Sequence, residues 1–158
     1  MILSRHLQVQ NTLVEFLSGI KQPDYRSDVE IVTPRLLDLR SLERFPSISV
    51  LRGPWRNEWA SEDKDLKRRT AAFAIVGFIR SQADDTFEGR MTEVADRFEA
   101  DIVNRIERHE DEFLAAADAE SILISQGEAV LSDDEVKGII QLVAEVVYEY
   151  SDDLIIST

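Results

Sequence analysis

Trp55 and Trp59 stand four residues apart with Arg56 between them, in a stretch otherwise made of charged and small residues. Tryptophan and arginine join large contact area to polar atoms that need partners, the composition of protein–protein hot spots. Just beyond lie Lys64, Lys67, Arg68 and Arg69, the one dense basic cluster of the chain. Such a cluster can meet acidic groups on a neighbouring subunit, or guard a strand edge against aggregation. The chemistry these residues offer is association. The candidate interface set is therefore Trp55, Arg56, Trp59, Lys64, Arg68 and Arg69, with the alternative that the tryptophans fold back onto their own sheet.

Catalytic groups are not gathered in the same way. The six glycines are scattered and form no phosphate-binding loop. No metalloprotease helix motif or nucleophile elbow is present. The absence of cysteine excludes disulfides, thiolate metal sites and a cysteine nucleophile together. His109-Glu110-Asp111-Glu112 has metal-binding residue types, but consecutive helical residues point in different directions and cannot close on one ion. The carboxylate runs Asp84-Asp85, Asp133-Asp134-Glu135 and Asp152-Asp153 sit in the most polar stretches, where helix capping and solvation account for them. The sequence thus assigns no catalytic residue, metal site or cofactor.

The charge is unevenly placed along the chain. Of 158 residues, the first 80 carry 13 Lys and Arg against 10 Asp and Glu, a net +3; the remaining 78 carry 5 against 21, a net −16. Either the second half is an acidic solubilising surface, or the halves are opposing faces of a unit that repeats head to tail. The total of −13 opposes binding to a bare phosphate backbone. With 44% hydrophobic and 31% charged residues the chain can bury one core. No apolar run approaches the roughly 20 residues of a membrane span, and the opening residues turn polar too soon for a signal peptide.

The elements that position the tryptophans follow from periodicity. Residues 4–18 predict an amphipathic helix capped by Ser4, with Gly19 in the left-handed position after it. Residues 28–33 alternate as a short strand, a helical turn spans Leu37–Arg44, and Pro46 starts a second strand over 47–53. Residues 52–66 lack either period and predict a long functional loop. Residues 67–80, apolar on both faces, predict a central strand. A helix over 86–112 carries Met91, Val94, Ala95, Phe98, Ile102 and Ile106 at helical spacing, with Glu93–Arg97 and Asp101–Arg105 as acid–base pairs. Ser121–Ser125 is strand, broken by Gly127. Residues 138–150 fit a strand better than a buried helix, with Ile140, Leu142, Ala144, Val146, Tyr148 and Tyr150 on one face. The expected class is α+β: residues 1–150 form one domain, a mostly antiparallel or mixed sheet of four to five strands with two long helices packed on it. Residues 151–158 form a tail whose Leu154, Ile155 and Ile156 need cover.

Three segments in this order carry a resemblance. Pro34-Arg35-Leu36-Leu37 leads to Leu42-Glu43-Arg44-Phe45-Pro46-Ser47-Ile48-Ser49-Val50, the Phe-Pro opening a strand. Val94-Ala95-Asp96 and Asp101-Ile102 mark the long helix, and Val146-Val147-Tyr148-Glu149-Tyr150 the last strand. The chain resembles the tail terminator proteins of long-tailed bacteriophages over most of residues 2–150, as an order of elements. The resemblance implies a non-enzymatic virion protein made in the host bacterial cytoplasm. It implies a homo-oligomer, a hexameric ring, at the head-proximal end of the tail. Its partners would be the tail tube protein and the head–tail connector or neck protein, with DNA passing through unbound and no membrane involved. A neck or connector protein, and a cytosolic α+β domain that binds a ligand or protein, are the alternative readings.

Overall fold

The computed structural model describes residues 2–59, 66–81, 91–130, 137–150 and 154–156. Chain order runs β1 (Ile2–Ser4), α1 (Arg5–Leu17), β2 (Ile31–Thr33), β3 (Ser47–Trp59), β4 (Lys67–Arg80), α2 (Met91–Arg108), α3 (Glu110–Ala117), β5 (Ser121–Val130), β6 (Lys137–Tyr150) and β7 (Leu154–Ile156). The class is α+β, as expected. Its main sheet is open and mixed, in the order β2-β3-β4-β6-β5, with β2 parallel to β3 and the other neighbours antiparallel.

Each long element has a local cause. The Ser4 hydroxyl accepts from the Leu7 amide at 2.9 Å and caps α1, which buries Val9, Leu13, Phe16 and Leu17. In α2 the buried residues Met91, Ala95, Phe98, Ile102 and Ile106 recur at three- and four-residue steps. The alternation of β6 is nearly unbroken: Ile140, Leu142, Ala144, Val146, Tyr148 and Tyr150 are buried, which settles 138–150 as strand.

Apolar side chains fill both sides of β4. Phe73, Ile75 and Ile79 face the helices with Phe98, Ile102, Phe113 and Tyr148 in the main core. Val76 and Phe78 face the other way, beneath Leu42, Leu37 and Phe45. That second cover is the segment between β2 and β3, and hydrogen bonds hold it down. The buried Ser49 hydroxyl donates to Arg35 O and accepts from the Leu37 amide. Lys137 of β6 donates to the carbonyls of Leu39 and Leu42.

Several expectations need correction. Three helices lie among the described residues, because His109 leaves the helical conformation (φ −122°, ψ 29°) and splits the expected 86–112 helix; residues 86–90 lie outside the described part. Gly19 has no positive φ. What it supplies is room: a Cβ there would lie 2.5 Å from the Arg105 guanidinium. Asp101 and Arg105 do not pair along α2. Asp101 is buried and accepts from the Arg26 amide, whereas Arg105 crosses to Phe16 O and stacks on the Phe16 ring. The strand expected over 28–33 is regular only from Ile31. Gly127 does not end β5 but sits in a bulge, and β5 continues to Val130. The expected tail supplies β7, which pairs antiparallel with β1 in a separate two-stranded sheet.

Candidate functional site

The largest correction concerns the expected loop 52–66, since β3 runs on through Trp59. Its sequence hides the strand because one extra residue interrupts the period of two. Arg52 registers with Phe73, but Trp55 registers with Ala71, so residues 53 and 54 together oppose Ala72. Gly53 is required there: a Cβ would stand 2.9 Å from Ala72 O. Beyond the bulge the alternation resumes. Trp55 and Asn57 turn to the helix side, Arg56 and Glu58 to the opposite face, in register with Thr70 and Arg68.

Arg68 and Arg69, adjacent in sequence, therefore serve opposite faces of the sheet. Arg69 is buried. Its Nε donates to Asn57 Oδ1 at 3.0 Å, Nη1 to the Tyr148 hydroxyl at 3.2 Å and Nη2 to the Tyr150 hydroxyl at 2.9 Å. The same guanidinium lies over the Trp55 ring, 4.2 Å from its centroid, and over Tyr150 at 4.5 Å. A planar cation can use its edge for hydrogen bonds and its faces for aromatic stacking together. Strands β3, β4 and β6 are thereby clamped at one end of the sheet.

Helix α1 closes this cluster from above. Arg5 donates to Ala117 O at 2.7 Å and to Asp118 O at 2.5 Å, tying α1 to the end of α3, and lies over the Tyr148 ring. Burial pushes the Arg5 pKa down, opposed by Asp118 and Tyr148. His6 packs on Phe73 and its Nδ1 approaches the Tyr148 hydroxyl at 3.4 Å. Of these two carbonyls, that of Ala117 closes α3 and that of Asp118 belongs to the left-handed residue (φ 52°) that caps it.

On the opposite face Arg68 reaches three carboxylates from three strands or their ends: Glu120 at 2.9 Å, Glu149 at 3.0 Å and Glu58 at 3.8 Å. Hydrogen bonding to Glu120, then its charge, raises the Arg68 pKa. For Glu120, desolvation alone would push the carboxyl up, but hydrogen bonds with Glu149 and Arg68 prevail and hold it below its ordinary value.

The expected interface set is thus divided. Trp55 and Arg56 are exposed on β3, Trp55 at 54%. Trp59 pairs with Lys67 by backbone register. Arg68 is engaged within the subunit and Arg69 is interior; Lys64 lies outside the described residues. The residues that sequence reasoning missed are Arg5, His6, Asn57, Tyr148 and Tyr150 as one polar assembly. The usable signal was the strand alternation of β6, which puts both tyrosine hydroxyls on the face where Arg69 must lie.

The main sheet leaves two edges open among the described residues. Beyond Ser49, β3 has no strand on its outer side among the described residues, and neither has β5. Gln10 covers the first exposed position by donating to Val50 O and accepting from Arg52. Among the described residues no group of three or more His, Asp or Glu could hold a metal ion, and no helix is long and apolar enough to cross a membrane. No known protein family matches the chain, and a search of curated proteins finds none that matches it.

Proposed function

We propose that this chain is a tail terminator: a non-enzymatic virion protein whose copies form a ring on the last ring of a phage tail tube, stop its growth and offer a surface to the head. One observation carries the reading. The strand order β2-β3-β4-β6-β5 puts the strands of the +3 half on one side of the sheet and those of the −16 half on the other. A unit with two unlike, complementary sides repeats head to tail, closing into a ring where the rotation between copies closes and running on as a filament where it does not, whereas two like sides give a dimer. The order of elements that resembles the terminator family supports the choice of ring. In this reading binding energy is spent on geometry, with no bond made or broken.

The test is native mass spectrometry at low and high salt, followed by electron microscopy of tails assembled in infected cells with altered protein. A ring that weakens as salt rises fits the charge contrast. Overlong or headless tails on loss of function fit a terminator. Tails of normal length that fail to join heads would instead make the protein a neck or connector component.

A further inference from the structure

We infer that the ring is held by sheet continuation, with the free edge of β3 in one copy pairing antiparallel to the free edge of β5 in the next. The inference rests on the ring reading above and names the surface that makes the ring. Each edge offers backbone donors and acceptors that no strand among the described residues uses, and such rows are templates for another strand. Direction fits as well. Successive pairs β3–β4, β4–β6 and β6–β5 are all antiparallel, so β5 runs opposite to β3. A copy placed by rotation, without being flipped, therefore meets its neighbour in the same antiparallel sense as the rest of the sheet.

Apolar groups mark the same two edges. Four large apolar side chains are prominently exposed among the described residues. Trp55 lies on β3, Leu123 (66%) and Val130 (70%) lie on β5, and only Leu36 lies elsewhere. Charge selects β3–β5 over a β5–β5 joint. Residues 120–130 carry Glu120 and Glu128 and no basic residue, whereas β3 carries Arg52 and Arg56 against one acid, Glu58, which already faces Arg68 of its own subunit. A two-fold joint of β5 with itself would set acid against acid. The bulges at Gly53 and Gly127 confine regular pairing to 55–59 on one edge and 121–126 on the other. Short, matched stretches of this kind favour one register over open-ended aggregation.

The chain has no cysteine of its own, so the joint can be tested by directed cross-linking. Arg56→Cys and Leu123→Cys are made singly and together, checked by circular dichroism, and treated with a short bis-maleimide. The double variant should give a ladder of covalent oligomers up to the ring size seen by native mass spectrometry. Mixed single variants should stop at a dimer, and each single variant alone should stay uncoupled. Separately, Leu123→Lys should raise the concentration for half-assembly at least tenfold with its circular dichroism unchanged. A ring that forms without the ladder, and is indifferent to Leu123→Lys, overturns the joint and leaves the ring. Self-coupling of either single variant replaces it by a two-fold dimer. A wild-type protein that stays monomeric at every concentration and salt removes both readings.

Discussion

Replacing Arg69 by alanine should be among the most damaging single changes in the molecule, although sequence places this residue in a surface-like basic run. Three hydrogen bonds to Asn57, Tyr148 and Tyr150 are lost, each with a net value of about 1 kcal/mol. Two close aromatic stacks, on Trp55 and Tyr150, add about 0.5–1 kcal/mol each. The total is about 4 kcal/mol, with no separate allowance for the space left behind. For a chain of this size 1 kcal/mol moves the melting temperature by roughly 2–4 °C, so a fall of about 8–16 °C is expected. Thermal and urea unfolding followed by circular dichroism measure it. Arg69→Met keeps the stem but not the planar cation, and should recover only part of the loss. In a double-mutant cycle with Trp55→Ala, a coupling of about 0.5–1 kcal/mol reports the stack itself. A melting temperature for Arg69→Ala within about 3 °C of wild type would refute the clamp.

Other changes probe the remaining parts of the argument. Phe98→Ala, at a fully buried site between α2 and β4, should cost about 3–5 kcal/mol in urea unfolding. Gly53→Ala should destabilise by about 1–3 kcal/mol, because the new methyl meets backbone rather than a movable side chain; an unchanged urea midpoint would mean that the bulge tolerates a Cβ. The Glu120 carboxyl is held below its ordinary value when folded. Its contribution is therefore present above the usual carboxylate range and lost as pH falls through the lowered value. The difference in urea midpoint between wild type and Glu120→Gln, small at neutral pH because the pair faces water, should close as the solution is acidified.

Much of the core was legible because its signals are local. Ser4 announces α1, the spacing of Phe98, Ile102 and Ile106 announces α2, and the double-faced apolar run 67–80 announces the centre of a sheet. The errors arose where an element breaks its own period. Gly53 and Pro54 insert an extra residue into β3, so Trp55 and Asn57 fall out of phase with Ile48 and Val50, and strand reads as loop. Gly127 does the same in β5. The site was harder still, since its members are distant in sequence. Arg5, Arg69 and Tyr148 meet only after α1 has settled on the sheet, and no local pattern distinguishes an arginine that will be buried among aromatic rings from its exposed neighbour. β1 was missed because three residues carry no period, and its partner β7 lies at the far end of the chain.

The place of β4 has a consequence for how the molecule forms. Its first neighbour, β3, follows by simple reversal of the chain. Its second, β6, begins 57 residues after β4 ends, with α2, α3 and β5 between them. Contacts of such long sequence separation are slow to gain, because loop closure costs entropy before any pairing rewards it. The β3–β4 hairpin with α1 can thus collapse early, while the other hydrogen-bonding edge of β4, a strand apolar on both faces, waits for β6. During that interval the nascent chain exposes a long apolar strand flank of the kind that chaperones hold and that other copies can capture. Docking of β6 would therefore be the commitment step, and expression yield should be most sensitive to changes in residues 137–150.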